Sequence, residues 1–269
     1  MEKVVLITGG SSGIGKAVGE YLLSKGYKVY GTSRNPSQNS TESSFKLLKM
    51  DVTQGDTIAA AVQHIIAAED RLDVLINNAG VGITGPIEET PDEEIHKAFD
   101  TNVYGPIRVM KAVIPQMRKQ QSGLIINITS IAAYMGLPYR GIYSATKAAF
   151  EITTEAFRME AKQFGIEMTN VAPGDFATNI ANGRYHAPQL ENSPYKEAYG
   201  KTLQMMNAHV DAGENPIKMA RAIHRIIESP KPRIHYKEGA FLQKFSVVLK
   251  RILPDRVYER MLMKHYKLK

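Results

Sequence analysis

The sequence predicts an α/β protein in which a parallel sheet is covered by helices on both faces. Two observations carry this prediction. Short apolar runs rich in Val, Ile and Leu alternate with longer segments of helical periodicity. The first run is also followed directly by a glycine-rich turn, TGGSSGIG, at residues 8–15. The length of 269 residues and the 43% hydrophobic content are sufficient for one domain with a sizeable core.

Six segments have the composition of buried strands, and helical patterns follow the first, third, fourth and fifth of them. The predicted strands cover residues 3–8, 28–33, 45–52, 72–80, 123–130 and 167–174. Because parallel strands need long crossover connections, usually helices, this order favours a parallel sheet over hairpins.

Four segments have helical spacing, and they cover residues 15–26, 56–70, 92–120 and 143–165. The third contains two prolines, so we expect it to bend or to be built in pieces. Residues 35–44 are predicted to form a polar loop. Residues 177–212 are polar and weakly periodic, and an irregular insertion of this size is usually a lid, a binding loop or disordered.

Composition excludes several classes of protein. The chain has no cysteine, so it forms no disulfide and holds no Cys-rich zinc site, and its histidines lack metal-ligand spacing; we expect no metal. We also expect no signal peptide and no transmembrane helix, and hence a cytoplasmic protein. Residues 231–269 hold 11 basic and 3 acidic residues, whereas the other 230 carry a net charge of −1. Since no basic stripe runs through the body, no nucleic-acid partner is expected.

The glycine-rich turn points to a dinucleotide. Glycines allow the tight turn and let the backbone approach a pyrophosphate, which then sits at the helix N-terminus. The spacing Thr-Gly-x-x-x-Gly-x-Gly, from Thr8 to Gly15, departs from the plain dinucleotide fingerprint. Later motifs accompany it: NNAG at 77–80, TNVYG around Asn102, Ser130, YSATK at 143–147 and PGDFAT at 173–178. Together they resemble the short-chain dehydrogenase/reductase family, hydroxysteroid/retinol dehydrogenase-like branch.

The resemblance implies a Rossmann-type doubly wound parallel sheet in a single domain over residues 1–269, with a substrate lid at 177–212 and a basic helical extension at 240–269. It implies an oxidoreductase that interconverts a carbonyl and an alcohol with a nicotinamide cofactor. The expected catalytic residues are Asn102, Ser130, Tyr143 and Lys147. The expected cofactor-binding residues are Gly9, Ser11, Ser12, Gly13, Ile14, Gly15, Ser33, Arg34, Asp51, Val52, Asn78, Ala79, Gly80, Tyr143, Lys147, Pro173, Gly174 and Thr178.

The YSATK motif carries the expected chemistry. Tyr143 and Lys147 are four positions apart, so on a helix their side chains share a face. Hydride arriving at a carbonyl carbon leaves an oxygen that needs a proton, which the phenol can give. A cation beside a phenol favours its ionised form, so Lys147 would assist the proton transfer. Ser130 would orient the substrate oxygen. By resemblance, Lys147 also holds the nicotinamide ribose, and Asn102 holds a water of a proton relay.

The end of the second strand predicts the cofactor. Proteins that prefer NAD commonly place an acidic residue there to bond the ribose 2′-OH. Here Ser33 stands in that place and Arg34 follows, and an arginine can bind a 2′-phosphate in a bidentate manner. We therefore expect NADP(H) in preference to NAD(H).

Two residues could have a structural role in addition to, or instead of, contact with the cofactor. Asp51 could cap a helix or, by resemblance, recognise adenine together with Val52, and the two roles are compatible. Asn77 could tie strands together and make no cofactor contact. The alternative for the whole chain is a catalytically silent NADP-binding regulatory or scaffold protein of the same fold. Relatives of that kind typically lose the Tyr or the Lys of the motif, and this chain keeps both.

The substrate is expected to be a small-molecule carbonyl or alcohol that is apolar and can be bulky, because the pocket segments 82–87, 132–139 and 176–210 include the apolar residues Tyr134, Met135, Leu137, Met205 and Met206. The family commonly pairs subunits through the segments that correspond to 92–121 and 143–164, so we expect a homodimer or homotetramer. Residues 240–253 and those after Pro254 predict two basic amphipathic helices, the second capped by Asp255. These helices would pack on the body or on a partner subunit, or would rest on anionic lipid as a membrane-peripheral segment.

Overall fold

The computed structural model describes residues 2–36, 44–177, 183–211 and 213–268. Nine strands lie in two parallel sheets. In chain order they are β1 (Val4–Ile7), β2 (Lys28–Ser33), β3 (Lys46–Lys49), β4 (Val74–Asn77), β5 (Ile83–Thr84), β6 (Gly123–Ile128), β7 (Ile166–Pro173), β8 (Tyr185–His186) and β9 (His235–Glu238). Helices α1 (Gly13–Leu23), α2 (Gly55–Glu69), α3 (Asp92–Phe99), α4 (Gly105–Gln120), α5 (Gly141–Ala161), α6 (Lys196–Asp211), α7 (Pro216–Ile227), α8 (Phe241–Ile252) and α9 (Asp255–His265) connect and follow them.

The main sheet has the order β3-β2-β1-β4-β6-β7-β9, with every neighbouring pair parallel. The chain winds outward from β1 in one direction through β2 and β3, and in the other from β4 onward. This order confirms the predicted doubly wound sheet. The switch point lies between β1 and β4, where a crevice opens at the carboxyl ends of the strands.

Two helical layers cover the sheet because successive strand residues point to opposite faces. One face packs on α1 and α7, with Val18, Leu22 and Ile223 among the fully buried contacts. The opposite face packs on α2, α4 and α5, where residues such as Val109 and Phe150 are buried. Both layers hold the strands at fixed positions beneath the crevice.

The segment 92–120 is built in pieces, as its prolines predicted. Helix α3 leads into a π-helical turn at Asp100–Tyr104, and α4 follows directly. Pro106 lies in the first turn of α4, directly after the π-helical turn, and Pro115 lies inside the helix without ending it. The π-helical turn buries the side chain of Asn102, which is 1% exposed.

The region 177–212 is less irregular than its sequence predicted. Strand β8 pairs with β5, and α6 occupies most of the second half. The buried positions Tyr199, Thr202 and Met206 follow a helical spacing. The prediction was wrong because Thr202 is polar and interrupts the apolar pattern that would have indicated a helix. Helix α7 and strand β9 were not predicted either, and β9 adds a seventh strand to the main sheet.

Helices α8 and α9 pack on the body through one face only. Val247, Tyr258 and Tyr266 are buried, whereas Phe241 and Leu242 are 72% and 76% exposed. Asp255 is not the N-cap that was predicted. Pro254 occupies that position, and Asp255 in the first turn forms an ion pair of 2.9 Å with Lys250. None of the helices in the described ranges combines the length and apolarity needed to cross a bilayer.

Candidate active site

A cleft of about 670 Å³ opens at the switch point of the sheet. The turns after β1, β2, β3 and β4 form most of its wall, and the start of the lid closes one side. Its lining includes most of the residues expected to bind a cofactor: Gly9, Ser11, Ser12, Gly13, Ile14, Ser33, Arg34, Asp51, Val52, Asn78, Ala79 and Gly80.

The glycine-rich turn is held rigid by hydrogen bonds from the fourth strand. The hydroxyl oxygen of Thr8 accepts the N–H groups of Asn78 and Ala79, each at 3.0 Å. The Nδ2 of Asn78 donates in turn to the carbonyls of Thr8 and Gly9, also at 3.0 Å. Gly9 has a φ of 66°, a left-handed conformation that suits glycine.

Gly15 is required by close packing. A Cβ at this position would lie 2.2 Å from the carbonyl oxygen of Gly9 and 2.6 Å from Nδ2 of Asn78. The N-cap residue of α1, Ser12, makes no side-chain capping bond. The first N–H groups of α1 therefore keep their hydrogen-bonding capacity and, with the helix dipole, form an anion site beside the cleft. These residues fit the pyrophosphate of a dinucleotide.

The far end of the cleft contains the residues expected to meet the adenosine. Ser33 is buried at the end of β2. Arg34 is exposed and forms no ion pair with any residue of the described ranges. The carboxylate of Asp51 accepts the N–H of Thr53 at 2.9 Å and its hydroxyl at 2.8 Å. The helix-cap alternative for Asp51 is wrong, since Gln54 is the N-cap of α2.

Tyr143 and Lys147 lie in the first turns of α5, 8% and 6% exposed. The Nζ of Lys147 lies 5.9 Å from the centroid of the Tyr143 ring and donates to the carbonyl of Ile128 at 3.1 Å. That carbonyl belongs to the last residue of β6. The bond therefore fixes the ammonium at the carboxyl edge of the sheet, where the cleft lies.

Asn102 is held in place near Lys147 by three hydrogen bonds. Asn102 exchanges two hydrogen bonds with the backbone of Val81, at 2.8 and 2.9 Å, and its Nδ2 also donates to the hydroxyl of Thr146 at 3.1 Å. A Cβ at Gly80 would lie 3.1 Å from Oδ1 of Asn102 and 3.5 Å from Nζ of Lys147. Asn102 and Lys147 thus meet beside Gly80, which lines the cleft, whereas Asn102, Ser130, Tyr143 and Lys147 do not line it themselves.

Ser130 follows β6 and begins a short 3-10 turn. Its hydroxyl oxygen accepts the N–H of Ala132 at 3.1 Å. This bond leaves the O–H hydrogen of Ser130 available for another acceptor.

Four residues named in the sequence analysis remain to be placed, namely Pro173, Gly174, Thr178 and Asn77. Pro173 ends β7, and the N–H of Gly174 donates to the carbonyl of Glu238 at 2.7 Å, so this segment is tied to β9. Thr178 lies outside the described residues. Asn77 is buried and donates to Oδ1 of Asn127 at 2.9 Å, which agrees with its structural alternative.

Sequence reasoning missed three groups that position the site. The hydroxyl of Thr146 supports Asn102, the carbonyl of Ile128 anchors Lys147, and the hydroxyl of Thr8 holds the turn after β4. Thr146 lies inside the YSATK motif, three residues after Tyr143, and its position on the helix face was the available signal. A backbone carbonyl such as that of Ile128 carries no signal in the sequence.

The residues expected around the substrate divide into two groups. Met206 and Leu137 pack inside the molecule, Leu137 in the cluster that contains Tyr143. Met135 instead lies beneath the tail, where its sulfur accepts the hydroxyl of Tyr258 at 2.8 Å. Tyr134 points toward β9 and bonds the carboxylate of Glu151. Burial and this carboxylate raise the pKa of Tyr134.

Comparisons with known proteins agree with this architecture. A family model described as short chain dehydrogenase matches residues 3–189. A 3-ketodihydrosphingosine reductase of Bacteroides thetaiotaomicron is 39% identical over 96% of this chain and 95% of its own. An NADPH-dependent 3-dehydrocapnine reductase of Ornithobacterium rhinotracheale is 28% identical over 98% of both chains.

The solved structure of a short-chain dehydrogenase from Streptomyces avermitilis superposes with a TM-score of 0.82. It is 32% identical, and the match covers 99% of this chain and 96% of that chain. Less similar solved structures of this fold are described with NADP in some cases and with NAD in others. Structural likeness alone therefore does not choose between the two cofactors.

Proposed function

The chain belongs to the short-chain dehydrogenase/reductase family of oxidoreductases, and we propose that it interconverts a carbonyl and an alcohol with NADP(H), using Tyr143 as general acid and base. The observation that carries this proposal is the buried pair on α5. The ammonium of Lys147 lies 5.9 Å from the Tyr143 ring centroid, and within the described ranges no carboxylate forms an ion pair with it. A buried cation kept without a counter-ion beside a phenol favours proton exchange by that phenol.

The bound nicotinamide supplies or accepts the hydride. Tyr143 gives a proton to the carbonyl oxygen during reduction and takes it back during oxidation. Ser130, whose oxygen already accepts the N–H of Ala132, donates its O–H to the same substrate oxygen. Lys147 uses one N–H on Ile128 and keeps two for the ribose hydroxyls and a water. Asn102, fixed by Val81 and Thr146, holds that water.

The experiment is the substitution Tyr143→Phe, assayed for NADPH oxidation with a carbonyl substrate. Since only the hydroxyl is removed, turnover should fall by about 10²–10⁴-fold, while NADPH binding and the circular dichroism spectrum stay unchanged. Tyr30→Phe is the matched control, because Tyr30 is also buried but its hydroxyl bonds Glu69, away from the cleft.

Two outcomes would count against the proposal. Reduction by Tyr143→Phe at the parent rate would show that another group donates the proton. A wild-type protein that binds NADPH but reduces no member of a broad panel of ketones and aldehydes would support the catalytically silent alternative.

The preference for NADP rests on the end of β2. Arg34 borders the cleft with its guanidinium free of ion pairs within the described ranges, and Ser33 precedes it. A phosphate on the ribose 2′-oxygen would supply the missing anion. The name of the relative from Ornithobacterium, an NADPH-dependent reductase, agrees with this preference.

The proposed substrate is an apolar, long-chain ketone or the matching secondary alcohol. Buried Tyr199 and Met206 of α6 lie in the lid, and Leu137 packs in the cluster that contains Tyr143. The relative that is 39% identical to this chain is named for reduction of a ketone on a sphingoid base, which is a long-chain lipid.

A homodimer or homotetramer is proposed through α4 and α5. On α5, Phe150 faces the sheet and is 2% exposed, whereas Ile152 and Met159 point outward with 66% and 73% exposed. Two large apolar side chains on the outer face of one helix suit a subunit contact. Light scattering that shows a monomer at micromolar concentration would contradict it.

Contact with an anionic membrane is proposed through the outer face of α8. Phe241 and Phe245 stack with ring centroids 5.7 Å apart, and Leu242 and Ile252 extend this exposed apolar face. Lys244, Lys250 and Arg251 lie on the same helix, and basic residues on an interfacial helix favour anionic lipid. This arrangement suits a cytoplasmic enzyme that visits a membrane surface to meet a lipophilic substrate.

A further inference from the structure

Two arginines flank the catalytic tyrosine outside the cleft that suits the cofactor. Arg140 precedes α5, and its guanidinium carbon lies 5.2 Å from the centroid of the Tyr143 ring. Arg184 precedes β8 and packs along Gly82, where an added Cβ would lie 2.8 Å from Cγ of the arginine. Neither arginine lines the 670 Å³ cleft, and neither does Tyr143. Gly82, Gly183 and Tyr185, which adjoin Arg184, do line it, so Arg184 stands at the border of that cleft.

Both guanidinium groups lack a counter-ion. Within the described ranges, neither Arg140 nor Arg184 forms an ion pair with a carboxylate. The Nη1 of Arg184 is buried and has no hydrogen-bond partner. Burial and then the neighbouring charge of Arg140 lower the pKa of Arg184. Two like charges that are partly removed from water are unfavourable unless an anion joins them.

The nearby polar groups supply no direct ion pair. Asp175 is an anion that acts on Arg184 from a distance, but within the described ranges it pairs with neither arginine, and its Oδ2 accepts from Nε2 of Gln243 at 2.5 Å. The hydroxyl of Tyr199 donates to the carbonyl of Thr84 at 3.2 Å. Arg140 interacts with the hydroxyl of Tyr266, which is neutral. With Lys147, three cationic side chains therefore stand near one carboxylate around Tyr143.

Arginine presents a planar fork of N–H donors that matches the oxygens of a carboxylate, phosphate or sulfonate. We propose that Arg140 and Arg184 form an anion-binding subsite that holds an acidic group of the substrate beside the carbonyl that is reduced. This inference rests on the proposed function and narrows its substrate class to apolar ketones with an acidic head. An amine alone at the same place would be repelled by both arginines, so the proposed head group differs from that of the sphingoid base for which the relative from Bacteroides thetaiotaomicron is named.

The test compares one long-chain β-keto acid with its methyl ester and with an amine of the same chain length. Wild-type enzyme with NADPH should have a KM for the acid about tenfold or more below that for the ester. Arg140→Gln and Arg184→Gln should each raise the KM of the acid by roughly ten- to a hundredfold. The ratio of the KM for the ester to the KM for the acid should fall toward one, and the affinity for NADPH should not change. The control is Arg118→Gln, because Arg118 is an exposed arginine in the last turn of α4 and stacks on Phe164.

A binding measurement separates this subsite from the proposed chemistry. Titration calorimetry with Tyr143→Phe in the presence of NADPH reports ligand affinity without turnover, so the acid should bind more tightly than the ester even if the catalytic assignment fails. Keto phosphates and keto sulfonates of the same length identify the preferred head. Equal affinity for acid and ester would overturn the proposal. A loss of NADPH affinity in the arginine variants would overturn it as well, since the arginines would then serve the cofactor.

Discussion

Two regions of the molecule differ in how far their side chains find partners within the chain. One surrounds the glycine-rich turn, and the other surrounds the lid and the tail. Around the turn, Thr8, Asn78 and Gly9 exchange short hydrogen bonds, and the adjoining strands are fully buried. Around β8 and α8, a guanidinium nitrogen of Arg184 has no partner and large apolar side chains such as Phe241 face outward. The side chains around the turn are bonded to one another and form a fixed site. The unpartnered groups around β8 and α8 instead indicate ligands or surfaces that come from outside the chain.

The largest expected effect comes from filling space at the turn. Gly15→Ala would place a Cβ 2.2 Å from the backbone oxygen of Gly9. Alanine favours a helix by up to about 1 kcal/mol over glycine, but the backbone cannot yield, and overpacking costs about 1–3 kcal/mol or more. We expect loss of measurable NADPH binding together with a lower thermal midpoint. Both are measured by fluorescence titration and calorimetric melting.

Gly136→Ala is the matched control on the substrate side, because an added Cβ there meets nothing within 4 Å. It should leave NADPH affinity and stability unchanged. If Gly136→Ala damaged the protein as much as Gly15→Ala, the contrast between the two regions would fail.

A smaller effect is expected at the far end of the cleft. Arg34→Ala should weaken NADPH binding by roughly ten- to a hundredfold, since a charged hydrogen bond contributes about 1.5–3 kcal/mol. Binding of NADH should hardly change, because it lacks the 2′-phosphate. Arg118→Ala again controls for loss of a surface charge. An equal loss for both cofactors would show that Arg34 does not recognise the phosphate.

The smallest effect on the enzyme in solution is expected from the outer face of α8. Replacing Phe241 and Leu242 together by serine should leave stability and turnover unchanged, because both are more than 70% exposed. The variant should lose binding to phosphatidylglycerol vesicles, since each inserted side chain contributes about 1.5–3 kcal/mol. Co-sedimentation at low and high salt measures this, as basic residues near the surface add about 1 kcal/mol each.

Val247→Ser is the contrasting variant, because Val247 is 2% exposed against the body and its loss should lower the melting temperature. Wild-type protein that ignores anionic vesicles at low salt would contradict the membrane proposal. A simultaneous shift of the double variant to smaller particles in light scattering would then assign the face to a second copy of the chain.

Local pattern was sufficient to predict the local geometry wherever neighbours in sequence are neighbours in space. The strands, the turn from Thr8 to Gly15 and the shared face of Tyr143 and Lys147 follow from such spacing. The partners of those groups depend on tertiary contact. Arg184 approaches Tyr143 only because β8 pairs with β5, and Asn102 turns inward only because a π-helical turn interrupts its helix. The tail was ambiguous because α8 is apolar on both a buried and an exposed face.

The pairing of β9 with β7 sets an order of assembly. His235 pairs with Asn170, 65 positions earlier in the chain, and β9 forms an outer edge of the main sheet. A ribosome that adds about 5–20 residues per second needs about 3–13 s to make that interval. During this time β7 is itself an open edge whose free N–H and C=O groups can pair with other nascent chains. Slow synthesis or truncation before β9 should therefore favour aggregation of a chain whose glycine-rich turn has already been made.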